Sequence, residues 1–130
     1  MGFSPQDAQE IVHYNRIVFA RFVRRARSAG ARAAFRSRGL GHDSWFRTLV
    51  HILNVQEVWL VFLVQGRDTD EELGRLFADP HRTPADWPQF DGYSRRVWSE
   101  VERSVRSLTD RDLKREVHAF WMPGRYTVRD

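Results

Sequence analysis

The sequence has no cysteine. Disulfides, thiol nucleophiles and thiolate metal sites are therefore excluded, and histidine and carboxylate are the side chains left to bind a metal. Lysine is almost absent: of 21 basic residues all but Lys114 are arginine. A bias of that strength reflects a GC-rich genome as readily as a function. No uninterrupted apolar run approaches the ~20 residues of a membrane span. The N-terminus, MGFSPQDAQE, is polar and acidic where a secretory signal has an apolar centre. The expectation is a soluble cytoplasmic protein with no membrane partner.

What is present points to a folded chain. With 130 residues, 42% of them apolar, and five Trp, there is enough material for one real core, and residues 1–130 read as a single domain. The net charge of +4 is unevenly spread. Residues 1–47 carry many arginines against Asp7, Glu10 and Asp43; residues 68–91 carry Asp68, Asp70, Glu71, Glu72, Asp79, Asp86 and Asp91 against Arg75 and Arg82. A basic front and an acidic middle attract each other, within one chain or between two. The basic, glycine-punctuated stretch 30–43 could contact phosphate. Single-strand binders interleave aromatics with such charges, and here Phe35 stands alone, so nucleic acid is not the expected partner.

Residues 44–66, SWFRTLVHILNVQEVWLVFLVQG, organise the chain. Ser44 is placed to cap a helix, Asp43 adds charge suited to its positive end, and Gly66 suits a left-handed C-terminal turn. A seven-residue apolar run at 58–64 could be a buried strand, but the uninterrupted length favours helix. Apolar on all sides, this end must be covered by other helices or another subunit. His51 lies inside the helix. A lone histidine on a largely apolar helix is more often a hydrogen-bonded core residue than a ligand, and no second histidine lies a turn away.

Before it, Ser4-Pro5-Gln6-Asp7 starts a helix with a capping box, running to about Ala29 with Gly30 as the stop. Its expected apolar face is Ile11, Tyr14, Val18 and Phe22, joined by Val12 and Ile17. After the central helix, residues 67–90 read as a short helix from Glu71 to Ala78 and then an irregular, proline-broken connection of the kind that often covers a site. Asp91 is the expected cap of the next helix, striped by Tyr93, Val97, Trp98, Val101 and Val105. Thr109 and Asp110 open a short helical turn, and residues 115–126 read as extended, with Pro123-Gly124 as a turn. Thr127-Val128-Arg129-Asp130 repeats the capping-box pattern. Either a helix begins there and its remainder is missing, or a short motif is matched by chance.

Taken in order, Tyr14-Asn15-Arg16, the stretch from Asp43 to Leu53 around His51, Glu57-Val58-Trp59-Leu60, Gly66, Leu108 to Leu113, and Pro123 to Thr127 carry a family likeness. The chain resembles the DinB/YfiT-like superfamily of helical-bundle metalloenzymes over most of its length. The resemblance implies an all-α, up-down-down-up four-helix bundle, usually dimeric. Three main helices are present here, and the fourth, due just after Thr127, is missing. It also implies a divalent metal, Zn or Ni, held by one histidine of the second helix and two of the fourth. The first maps onto His51; nothing in this sequence maps onto the others, so the metal site is incomplete.

Two functional classes follow. One is a divalent-metal-dependent enzyme of thiol-transferase or hydrolase ancestry, acting on a small-molecule thiol, with Tyr14, Trp59 and Trp121 as candidates for the pocket wall. Aromatics at those positions serve equally as packing. The other is a non-catalytic helical protein that oligomerises, with a homodimer as the expected remedy for apolar faces left uncovered.

Overall fold

The structure, a computed structural model, describes residues 2–121 and 123–130. It is mostly helical. Helix α1 spans Pro5–Ser28, α2 Ala31–Phe35, α3 Trp45–Glu57, α4 Asp70–Phe77, α5 Trp87–Arg106 and α6 Asp110–Leu113. Two short antiparallel strands, β1 at Glu116–Val117 and β2 at Tyr126–Thr127, pair Glu116 with Thr127 and Val117 with Tyr126. The extended stretch expected over 115–126 thus narrows to two residues at each end.

The expected caps at both ends of the central helix form. Ser44 accepts the amide hydrogen bond of Arg47 at 3.1 Å. Past Glu57 the helix continues as a π-helical segment, Val58–Leu63. It closes on Gly66 at φ 73°, with Gly66 N donating to Leu63 O and Arg67 N to Phe62 O, the paired bonds of a Schellman turn. Arg115 also donates to the carbonyls of Leu63 and Val64, and its guanidinium lies 3.2 Å from where a Cβ on Gly66 would sit. Gly66→Ala therefore meets both a left-handed backbone and a filled space. We expect it to cost about 1–2 kcal/mol in urea denaturation.

Together Trp45–Leu63 has the length and composition of a membrane span, which the run-length criterion missed; 44% of that window is buried inside the bundle. Val58, Val61, Phe62 and Leu63 are buried, with α5 packed against this segment, whereas Leu60 and Val64 are half-buried and Trp59 stays exposed, so the apolar tail is covered on one side only.

Helix directions follow from the side-chain pairs. Arg16 meets Glu102 and Arg27 meets Asp91 at 2.7 Å, so α1 and α5 are antiparallel. Asn54 meets Tyr93 at 2.8 Å and Gln65 meets Ser104 at 2.6 Å, so α3 and α5 run the same way. Two parallel helices cannot be joined by a tight turn. The connection must return along some 28 Å of helix at 1.5 Å per residue. This is the physical reason for the long segment 67–86, which carries α4 and a 3-10 turn at Pro80–Arg82. The connection is a crossover before it is anything else.

The cap of α5 is Asp86, not Asp91: Asp86 accepts from Gln89 N at 2.9 Å, and Pro88 lies in the first turn, where its missing N–H costs nothing. Asp91 is one turn inside, engaged with Arg27.

Helix α5 sits between α1 and α3. Its Phe90, fully buried, lies 6.2 Å from Phe19 of α1, 5.6 Å from Phe46 of α3 and 5.2 Å from Trp87. Helix α1 departs most from its expected face. Its buried residues are Ala8, Val12, Phe19 and Ala26, whereas Ile11 (50%), Tyr14 (67%), Ile17 and Phe22 (59%) are exposed. Both stripes have helical spacing, and α5 chooses one of them. The other stays exposed, and its Phe22 reaches the side of α1 that faces α3. There Phe22, Ala26, Trp45, Leu49 and Ile52 border an open apolar groove.

Candidate functional site

His51 projects from α3 into an open cavity of about 800 Å³ between α3, the glycine-rich turn before it, and the segment around Pro84. The turn is tight: Gly39, Gly41 and Asp43 all have positive φ. Asp43 holds it closed, accepting from Ser37 Oγ at 2.6 Å and Gly39 N at 3.2 Å. Those bonds, chiefly the one from Ser37, keep its carboxyl below the usual carboxylate range. The turn delivers His42 onto His51, with ring centroids 3.7 Å apart and planes 23° from parallel. Sequence spacing could not show this pair, since the residues are nine apart and joined by a reversal of the chain.

Partial burial lowers the His51 pKa, and the charge of His42 lowers it further. A histidine depressed in the folded state takes up fewer protons than in the unfolded chain. Its neutral form favours the fold, and that contribution is lost as pH falls below about 6.5. In an NMR titration of the ring protons, His51 should titrate below a free histidine. His42→Ala should move it part of the way back, because burial remains.

As a metal site this constellation is short of donors. A catalytic zinc takes three protein ligands and a water. His51 has one imidazole neighbour, Asp43 is turned to Ser37 and Gly39, and among the described residues no group of three histidine, aspartate or glutamate side chains could hold an ion. The residues present do not by themselves fit the three-ligand site. A further histidine, His118 just after β1, does not line this cavity: its backbone N–H donates to Asp68 at 2.7 Å and the residue is exposed.

Below the cavity floor lies a polar cluster that sequence reasoning passed over. Glu57 is 2% exposed and Arg82 6%. Glu57 Oε1 accepts from Arg82 Nε at 2.7 Å and from the Tyr93 hydroxyl at 2.9 Å; Oε2 accepts from Arg96 at 3.3 Å. Asn54 donates to Tyr93 Oη at 2.8 Å and to Arg82 O at 3.0 Å. Burial first, and then the Glu57 charge, pushes the Tyr93 phenol well above its ordinary pKa, so it stays a donor. The cluster ties α3, the crossover and α5 together and fixes the helix face that carries His51. Its one sequence signal was a glutamate among apolar neighbours.

The three aromatics considered as pocket wall do not share a place. Trp59 and Trp121 come together, centroids 6.2 Å apart, at the far end of α3. Tyr14 stands on the outer face of α1 and lines neither that corner nor the His51 cavity.

No family model matches this chain, and no curated protein and no solved structure is significantly similar to it.

Proposed function

We propose that this protein is a helical interaction module on a DinB/YfiT-like bundle, and that it self-associates through the groove between α1 and α3. The observation that carries the reading is the exposed apolar stripe Ile11, Tyr14, Ile17 and Phe22, continued across the groove by Trp45 and Ile52. The up-down-down course of α1, α3 and α5 is compatible with a four-helix bundle before its last helix, and the groove opens between α1 and α3. Burying such a face is worth about 25 cal/mol per Å² of apolar area.

Charge argues for a second copy as the occupant. Helix α1 carries Asp7 and Glu10 at its start and Arg21, Arg24 and Arg25 near its end. Across a two-fold axis perpendicular to α1 the α1 helices of two copies run antiparallel, which sets acid against arginine at both ends and opposes the helix dipoles favourably. The absence of cysteine makes the test clean. Spin labels on single cysteines at Ile17 and at Arg25 should report a short inter-subunit distance for the first and a clearly longer one for the second. A parallel pairing would give two short distances, and a monomer none.

A divalent-metal enzyme of thiol-transferase or hydrolase ancestry is the second reading, favoured by the His42–His51 pair. Zn or Ni there would need donors from outside the described residues, the second copy included. Native mass spectrometry after zinc loading separates the two. Metal retained per dimer and lost in both His51→Ala and His42→Ala would support the enzyme reading, and a metal-free dimer would support the interaction module alone.

A further inference from the structure

We propose that the corner formed by Trp59, Trp121 and Tyr126 beside the Asp130 carboxylate binds a compact organic cation, a quaternary or methylated ammonium. This site is independent of the α1–α3 groove and of His51.

The cavity is about 370 Å³, the size of a small-ligand pocket, with Leu63, Val64 and Val117 in its wall. Trp59 and Trp121 meet at 81° rather than stacking, so their rings form a corner and not a slab. Both, like Tyr126, keep more than a third of their surface open, so the ring faces are accessible from solvent. Trp121 is also held from its other neighbours, with Phe77 at 5.8 Å and Phe120 at 5.0 Å, so the corner exists before anything binds. Ring faces present negative charge to a cation, and the attraction grows as the cation is desolvated.

The carboxylate completes the chemistry. One oxygen of Asp130 accepts from both Thr127 N at 2.8 Å and Thr127 Oγ1 at 3.0 Å, which leaves the other free of those bonds. The same bonds hold the group ionised below the usual carboxylate range. Among the described residues no arginine, lysine or histidine lines the cavity, and Arg125 of the neighbouring turn is paired with Glu116 at 3.0 Å. An anion would find no cationic side chain there, only hydroxyl and indole N–H donors, and a carboxylate that repels it. A neutral apolar ligand would leave the carboxylate facing it without compensation. A cation with apolar methyl groups satisfies both the rings and the charge.

The test is tryptophan fluorescence of the full chain titrated with choline and with its uncharged isostere, 3,3-dimethylbutan-1-ol, at constant ionic strength. Choline should saturate and bind at least about tenfold more tightly than the alcohol. Asp130→Asn, an exposed change that leaves the fold intact, should weaken choline about tenfold and leave the alcohol unaffected. Trp121→Ala should remove both signals' saturation while the circular dichroism stays helical. Equal affinity for the two ligands, no saturation by choline, or an Asp130→Asn variant that binds choline unchanged would each overturn the proposal.

Discussion

Glu57→Gln is expected to destabilise the fold by about 3–5 kcal/mol. The substitution keeps the shape and one acceptor oxygen but removes the charge. Arg82, as buried as Glu57 and 2.7 Å from it, is then an ion without a counter-ion in the interior. Arg96 cannot compensate, being a second cation on the same carboxylate. The penalty belongs to the orphaned arginine more than to the lost bond. A matched double variant, Glu57→Leu with Arg82→Met, should therefore recover most of the stability, because well-packed apolar residues can replace a buried pair at little net cost. Urea denaturation of the wild type, Glu57→Leu, Arg82→Met and the double variant measures the coupling, with Glu57→Gln measured beside them. A single variant costing under about 1 kcal/mol would mean that water reaches the pair and that its burial is not what fixes α3 against α5.

Phe90→Ala is the second large effect, at about 3–5 kcal/mol. Phe90 is the point where the three long helices meet, in contact with Phe19, Phe46 and Trp87 and essentially closed to solvent. Rings held from three directions cannot collapse into the space left by a fourth, so the cavity persists and its cost adds to the lost transfer energy. By contrast Tyr14→Ala, on the exposed stripe of the same bundle, should leave the stability of the folded monomer within about 0.5 kcal/mol of wild type. If Phe90→Ala cost as little, the packing around it would be far looser than the ring distances indicate.

Local signals were legible in the sequence where the physics is local. Ser4 with Asp7, Ser44 and Gly66 all cap or stop their helices as residue chemistry requires, and the short helix expected at 71–78 is α4, one residue earlier at both ends. An all-α fold was therefore readable. What failed was whatever depends on a neighbour distant in sequence. Helix α1 has two apolar stripes, and nothing in its own residues says that Val12 and Phe19 face α5 while Ile11 and Phe22 do not. Asp91 looks like a cap until Pro88 is seen to fit the first turn behind Asp86. The crossover looks like a loop until α3 and α5 are known to run in parallel. The site divides the same way. His51 was visible as a residue, but His42 above it depends on a glycine turn, and the Glu57 cluster depends on an arginine brought back by the crossover. Trp59 and Trp121 were singled out without any means of knowing that they touch; Tyr14 was singled out with them and stands elsewhere.

The central claim is that the face between α1 and α3 is covered by a second copy. Sedimentation velocity over a range of protein concentrations tests it, on the wild type and on Phe22→Asp, which puts a charge into the exposed stripe without touching the buried one. The expected result is a wild-type dimer that dissociates on dilution and a Phe22→Asp protein that stays monomeric with unchanged helical circular dichroism. A wild type that is monomeric at every concentration, or a variant that dimerises as well as the wild type, would contradict the account.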